Sequence, residues 1–170
     1  SKSDLPVDPD LVAAFDASDA NGGGTDLRRA VTLSNDGLKA TKFPKEGGLG
    51  SEHDWIEIRL ADVILLYAEA LNENGAAADT VLALLDPIRT RAGLTSLTGT
   101  VSSQADVKQA ITNERRLELA FEGHRWFDLV RTGTVDAGMG QTVNSNYHLF
   151  PIPISEILAT NGVITQNPGY

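Results

Sequence analysis

The sequence has no cysteine, one methionine and only 6% aromatic residues across 170 positions. The missing cysteine excludes a disulfide framework, thiolate metal sites and a cysteine nucleophile together. Basic residues are also scarce: 14 Lys+Arg stand against 23 Asp+Glu, a net charge of -9. Such a balance repels phosphate backbones and acidic membrane surfaces, so nucleic acid is not an expected partner. Long apolar runs are lacking too. The strongest, Val63 to Leu66, is bracketed by Asp62 and Glu69 and is too short and too charged to span a bilayer. The chain opens at Ser1 without a methionine or a basic-then-apolar leader, so processing or truncation is the expected origin of that N-terminus. What is present is ordinary for a folded protein, with 41% hydrophobic and 22% charged residues, enough for a single domain with its own core.

Residues 1–55 form a loop-rich lead-in, broken by Gly22-Gly23-Gly24 and Gly47-Gly48-Leu49-Gly50. Pro9 to Phe15 reads as a short helix, with Asp8 as cap and Pro9 at a first helical position. The rest of the lead-in reads as loop. From Ile56 to Asn74, Leu60, Val63, Ile64, Tyr67, Ala68 and Leu71 recur at helical spacing, which makes them the expected inward stripe. Gly75 ends that helix, and a second runs from about Asp79 to Gly93. Together, residues 56–93 make a hairpin of about 35 residues, the length of one tetratricopeptide-type unit. Pro87 should kink the second helix.

Ser103-Gln104-Ala105-Asp106 has the form of a helix start, opening a helix to about Phe121; a short helical turn from Arg125 to Thr132 completes a pair over residues 103–133. Residues 134–170 follow as a polar loop to His148, the Pro-bracketed segment Leu149 to Ile154, a last short helix capped by Ser155, and an extended tail. The expected class is mainly α, with tetratricopeptide-like helical hairpins, long loops and little β-structure. One hairpin cannot bury both its faces, so further helices are expected on its N-terminal side.

Arg59 to Ala70 and Ile88-Arg89-Thr90-Arg91-Ala92-Gly93-Leu94 resemble the helical hairpin of SusD/RagB nutrient-binding outer-membrane lipoproteins. Glu114 to Arg131 resembles that family's most specific segment, and Leu149 to Pro153 with Gln166-Asn167-Pro168-Gly169-Tyr170 resembles its ending. Leu11 to Lys42 is similar more loosely, with Asp26 to Thr32 where the family tends to carry Asp-Pro-Arg; Asp86-Pro87 and the Gly-rich insertion depart from the pattern. The resemblance implies a C-terminal part of a longer protein at the bacterial outer membrane. It implies that a lipid anchor lies upstream, and that the intact protein binds extracellular oligosaccharide or polysaccharide without catalysis and passes it to a TonB-dependent SusC-like transporter. A helical scaffold for protein contact, with the ligand site elsewhere, and a peptide ligand are the alternatives.

Glu114, Glu118 and Glu122 form an acidic stripe at i, i+4 and i+8. Like charges at this spacing repel, so cations are expected beside them. Arg89, Arg91, Arg115, Arg116 and Arg125 are available, and a structural ion-pair network through Arg89, Arg91, Glu114, Arg115, Glu118, Glu122 and Arg125 is the preferred reading. A carboxylate pair for glycoside hydrolysis needs an open cleft, and a di-iron site needs repeated Glu-x-x-His, for which Glu122-Gly123-His124 is misspaced. No catalytic set, metal or cofactor is therefore expected. Tyr67, Trp126 and Phe127 are expected in the core. Trp55, beside His53 and Asp54 at the end of a Gly-rich loop, offers the aromatic face and hydrogen-bonding neighbours that a sugar requires; a Trp at a helix entry is equally suited to be a hydrophobic staple. Asn144, Asn146 and Tyr147 offer the same mixture in the second long loop, with anchoring of the adjacent Pro-bracketed segment as the alternative role of Tyr147.

Overall fold

A computed structural model describes residues 6–22, 24–43 and 56–170, the side chains of 19–22 excepted. His53, Asp54 and Trp55, and the Gly47 to Gly50 run, lie outside the described residues. The chain is mainly α-helical: among the described residues there is no strand, only an isolated antiparallel bridge between Leu33 and Ala40. The chain divides into two compact units, Ser1–His124 and Arg125–Tyr170.

The first unit holds α1 (Pro9–Gly22), α2 (Leu27–Thr32), α3 (Leu60–Glu73), α4 (Ala78–Arg91) and α5 (Gln104–Glu118). α1 extends past the expected Phe15. α2 falls in a stretch expected to be loop; the Asp26 carboxylate accepts the Arg28 N–H at 3.0 Å and caps a helix too short to show a periodic pattern. α3 and α4 form the expected hairpin, closed by Gly75 at φ 77°, and α4 runs unbroken through Pro87. Asp86 beside it is an anchor: its carboxylate accepts the Ser96 and Thr98 hydroxyls at 2.6 and 2.8 Å, tying the following loop back to the helix.

Ala61, Leu65 and Ala68 of α3 pack against Val81, Leu82, Leu85 and Ile88 of α4 and against Val107 and Ile111 of α5. This corrects the expected stripe in part, since Ile64, Ala68 and Leu71 of it do pack on this core. Leu60, Val63, Leu66 and Tyr67 are exposed, Tyr67 by 56%, so Tyr67 is not a core residue of this chain. α3 is apolar on two sides, and the side bearing two alanines lets α4 and α5 come close where larger side chains would hold them apart. Asn72, fully buried on that side, donates to the Gln104 carbonyl at 3.1 Å and receives the Gln104 amide on its own carbonyl at 2.6 Å.

Ser103 caps α5 as its sequence predicts, accepting the Asp106 N–H at 3.1 Å and donating to the Asp106 carboxylate at 2.6 Å. The helix stops at Glu118, short of Phe121, because Phe121 and Gly123 both adopt left-handed backbone at φ 64° and 83°. Glu122 consequently sits in the turn beyond α5. A second cluster, Val7, Phe15, Leu33, Leu117 and Ala120, seats the lead-in against the end of α5.

The second unit contains α6 (Arg125–Arg131), α7 (Val135–Met139), a 3-10 helix (Ser145–His148) and α8 (Ile154–Ala159). Two of these fall in the expected polar loop. α7 forms because Gly138 has no side chain: a Cβ there would lie 2.3 Å from Leu129 Cδ2, so only glycine lets the helix close onto buried Leu129. α8 begins at Ile154 with Pro153 at the cap position and without a side-chain cap, so Ser155 lies inside the first turn. The expected core pair also separates. Trp126 is half-buried, edge-on to His148, whereas Phe127 is 60% exposed and leans on Phe150.

Candidate functional site

The three glutamates of the acidic stripe are all buried and all ion-paired. Glu114 accepts Arg28 Nη1 at 2.6 Å and Arg89 Nη1 at 3.1 Å. Glu118 accepts Arg59 Nη1 at 2.6 Å and Arg28 Nη1 at 3.1 Å, and also pairs with Arg91. Glu122 accepts Arg59 Nε at 2.7 Å and pairs with Lys42. Arg28 is held from its other side by Asp26 at 2.8 Å. Segments far apart in sequence thus converge on one end of α5: α2, the residues at the entry to α3, and the end of α4.

Burial opposes the charge on Glu118, but hydrogen bonds from Arg91 and Arg59 and their positive charges outweigh it and hold its carboxyl below the ordinary value. Arg28 responds in the complementary sense: burial works against it, yet Asp26 and Glu114 raise it above the usual guanidinium range. Burial pulls Lys42 below the usual ammonium range despite Glu122. Glu118 and Glu122 line a cleft of about 540 Å³ together with Lys42, Arg59 and Arg91. A general acid for glycoside cleavage needs a raised carboxyl pKa, which is opposite to the shift at Glu118.

Arg89 and Arg91 meet the stripe as the sequence pattern suggests, while Arg115 turns to α3 and forms a buried pair with Asp62 at 2.8 Å. Arg125 opens α6 in the second unit. Sequence reasoning missed Arg28, Lys42 and Arg59. The available signal was Asp26-Leu27-Arg28 itself, where a carboxylate two residues before an arginine both caps a helix and clamps the guanidinium.

In the second unit, Asn144, Asn146 and Tyr147 come together around the 3-10 helix. The Asn144 side chain accepts the Asn146 N–H at 3.0 Å, and the Tyr147 N–H bonds the Asn144 carbonyl at 2.9 Å. Residues 163–170 are stitched beside this loop by side-chain amides. Pro151 and Pro153 have no N–H, so no backbone ladder can form there; Gln166 instead accepts the Ile152 N–H at 2.8 Å and donates to the Ile152 carbonyl at 2.9 Å. Asn167 donates to the Phe150 carbonyl at 2.7 Å, and the Tyr170 hydroxyl donates to the Leu149 carbonyl at 3.1 Å. The Tyr147 and Tyr170 rings then stand 6.0 Å apart at 69°. Among the described residues no group of three or more His, Cys, Asp or Glu is placed to hold a metal ion.

Residues 16–146 match the family model described as SusD family. The chain belongs to the SusD family. Among SusD relatives, SusD-like protein P2 of Formosa agariphila is 31% identical over 140 residues, covering 72% of this chain and 27% of the relative. The starch-binding protein SusD of Bacteroides thetaiotaomicron is 32% identical over 160 residues, covering 83% and 27% respectively. A solved laminarin-binding SusD-like protein superposes with a TM-score of 0.67 at 34% identity, over 97% of this chain and 38% of that one. This chain therefore spans about a quarter of the length of these two curated SusD relatives. The family match contains the whole Arg-Glu network, whereas Tyr147 and the tail lie just beyond it.

Proposed function

We propose that this chain is part of a cell-surface protein that captures a neutral glucan without cleaving it and delivers it to a TonB-dependent SusC-like transporter in the bacterial outer membrane, where a lipid anchor would hold it. The observation that carries this reading is the 34% identity to the laminarin-binding SusD-like protein along 97% of the chain. Similarity to the starch-binding protein SusD adds weight, because starch and laminarin are both uncharged glucose polymers. The net charge of -9 favours the same class, since it repels polyanionic glycans. Lack of catalysis is supported by the engagement of Glu114, Glu118 and Glu122 with arginine and lysine, which leaves none of them poised as a proton donor. Of the candidate contacts, Asn144, Asn146 and Tyr147 retain the chemistry a sugar needs, and we extend the same role to His53, Asp54 and Trp55.

A second reading is favoured by one specific feature. The exposed side of α3, with Leu60, Val63, Leu66 and Tyr67, is an apolar surface of the sort that seats other helices or a protein partner, which would make this part a scaffold with the ligand site elsewhere.

Native electrophoresis of the intact protein and of residues 1–170 through gels containing laminarin, starch and an acidic polysaccharide separates these readings. Capture predicts retardation of the intact protein by a neutral glucan, with no new reducing ends released. Retardation of residues 1–170 as well would put ligand contacts here. Retention of the intact protein alone would favour the scaffold role, and no retardation of either would overturn the glucan reading.

A further inference from the structure

We propose that Tyr147 and Tyr170 form a two-walled stacking corner for one pyranose ring of the captured glycan, with the Asn146 amide as its hydrogen-bonding edge; this assignment rests on the glucan reading above. The two rings stand 6.0 Å apart at 69°, and each is about half exposed, at 53% and 50%. A pyranose carries a flat C–H face and a rim of hydroxyls. One tyrosine can take the face while the other, nearly perpendicular, closes the side. Aromatic rings buried in a core cannot do this.

The first wall is placed by its backbone and the second is also held at its tip before any ligand arrives. Tyr147 sits in the 3-10 helix capped by Asn144, and the Tyr170 hydroxyl is tied to the Leu149 carbonyl at 3.1 Å. For Tyr170, little side-chain freedom is left to lose on binding. Gly169 sets the second wall at this spacing. Its φ is 96°, and a Cβ there would lie 2.8 Å from Asn146 Cβ and 3.1 Å from Asn146 Nδ2, so the tail runs directly over the Asn146 side chain. Among the described residues the Asn146 side-chain amide and the Tyr147 hydroxyl form no hydrogen bond. Uncharged donors and acceptors beside a stacking face match a neutral sugar. The chemistry does not suit a phosphate or carboxylate ligand, which would need a cation here.

The test is calorimetric titration of the intact protein and its Tyr147→Ala, Tyr170→Ala, Tyr170→Phe and Phe150→Ala variants with laminarin and with soluble starch, after thermal melts show each variant folded. Phe150→Ala removes one ring of another exposed aromatic pair, Phe127–Phe150, and serves as the control. Each tyrosine-to-alanine change is expected to weaken binding about tenfold; Tyr170→Phe, which keeps the ring but releases it from the Leu149 carbonyl, is expected to lose less than Tyr170→Ala, and Phe150→Ala to stay within about twofold of the parent. If the parent binds and both alanine variants bind equally well, the corner is overturned while glucan capture stands. A loss in Tyr170→Phe as large as in Tyr170→Ala would assign the effect to the tail's hydrogen bond, and an equal loss in Phe150→Ala would assign it to general packing; either result overturns the corner. If the parent binds neither polymer, the glucan reading fails first.

Discussion

Replacing Glu114 with leucine probes the ion network at a carboxylate that is only 2% exposed. The change removes two charge-assisted hydrogen bonds, from Arg28 at 2.6 Å and Arg89 at 3.1 Å. Removing one partner of a buried ion pair costs about 3 to 5 kcal/mol. Here the lower end applies, because Arg28 keeps Asp26 and Glu118, and Arg89 keeps the Thr95 carbonyl at 2.9 Å. A loss of about 3 kcal/mol corresponds to a fall in Tm of about 6 to 12 °C for a chain of this size. The assay is thermal unfolding at pH 7 followed by circular dichroism at 222 nm, with urea unfolding to check that the m-value is unchanged. Glu73→Gln is the control, since the Lys108–Glu73 pair is half exposed on both sides and should contribute less than about 1 kcal/mol. A Glu114→Leu melt within about 2 °C of the parent, or no lower than that of Glu73→Gln, would refute the network as what joins α5 to α2 and α4.

Three further outcomes are expected. Glu118 has a folded pKa below its ordinary 4.5, so its contribution to stability is fully present above that value and is lost as pH falls through the folded pKa; urea midpoints should hold from pH 7 to about 5 and drop below it, less steeply in Glu118→Gln, and a drop beginning near pH 6 would contradict this. Gly138→Ala should destabilise, because the 2.3 Å clash with Leu129 Cδ2 outweighs the gain of about 1 kcal/mol in helix propensity; a raised Tm would show that the close approach of α7 is wrong. Asn72→Ala removes a fully buried amide that donates to the Gln104 carbonyl and should cost about 1 to 2 kcal/mol, measured as a lowered urea midpoint with unchanged slope.

The α3–α4 hairpin and the start of α5 were legible because their signals are local: helical spacing, Gly75, and the Ser103 cap. The inward side of α3 was legible only in part: Ile64, Ala68 and Leu71 pack on the core as their spacing suggests, while Leu60, Val63 and Tyr67 do not, because close helix packing turns Ala61 and Leu65 inward instead. α2, α7 and the 3-10 helix were missed for a related reason. Each is shorter than two turns, too short for a periodic pattern, and depends on a cap or a close approach, namely Asp26, Gly138 against Leu129, and Asn144. The acidic stripe announced that cations must be near. It could not say that Arg28, Lys42 and Arg59 supply them, because these reach α5 from 59 to 90 residues away in sequence. In the second loop, Tyr147 stood out as an aromatic among amides, but its partner Tyr170 emerges only once Gln166 and Asn167 have laid the tail against residues 150–152.

Titration of the intact protein with laminarin oligosaccharides in a calorimeter, followed by chromatography of the same solution after overnight incubation, tests capture without cleavage most directly. Saturable heat with the oligosaccharides recovered at their original length is the predicted result. Shortened products would contradict the non-catalytic role, and an absence of heat with every neutral glucan would contradict glucan capture itself.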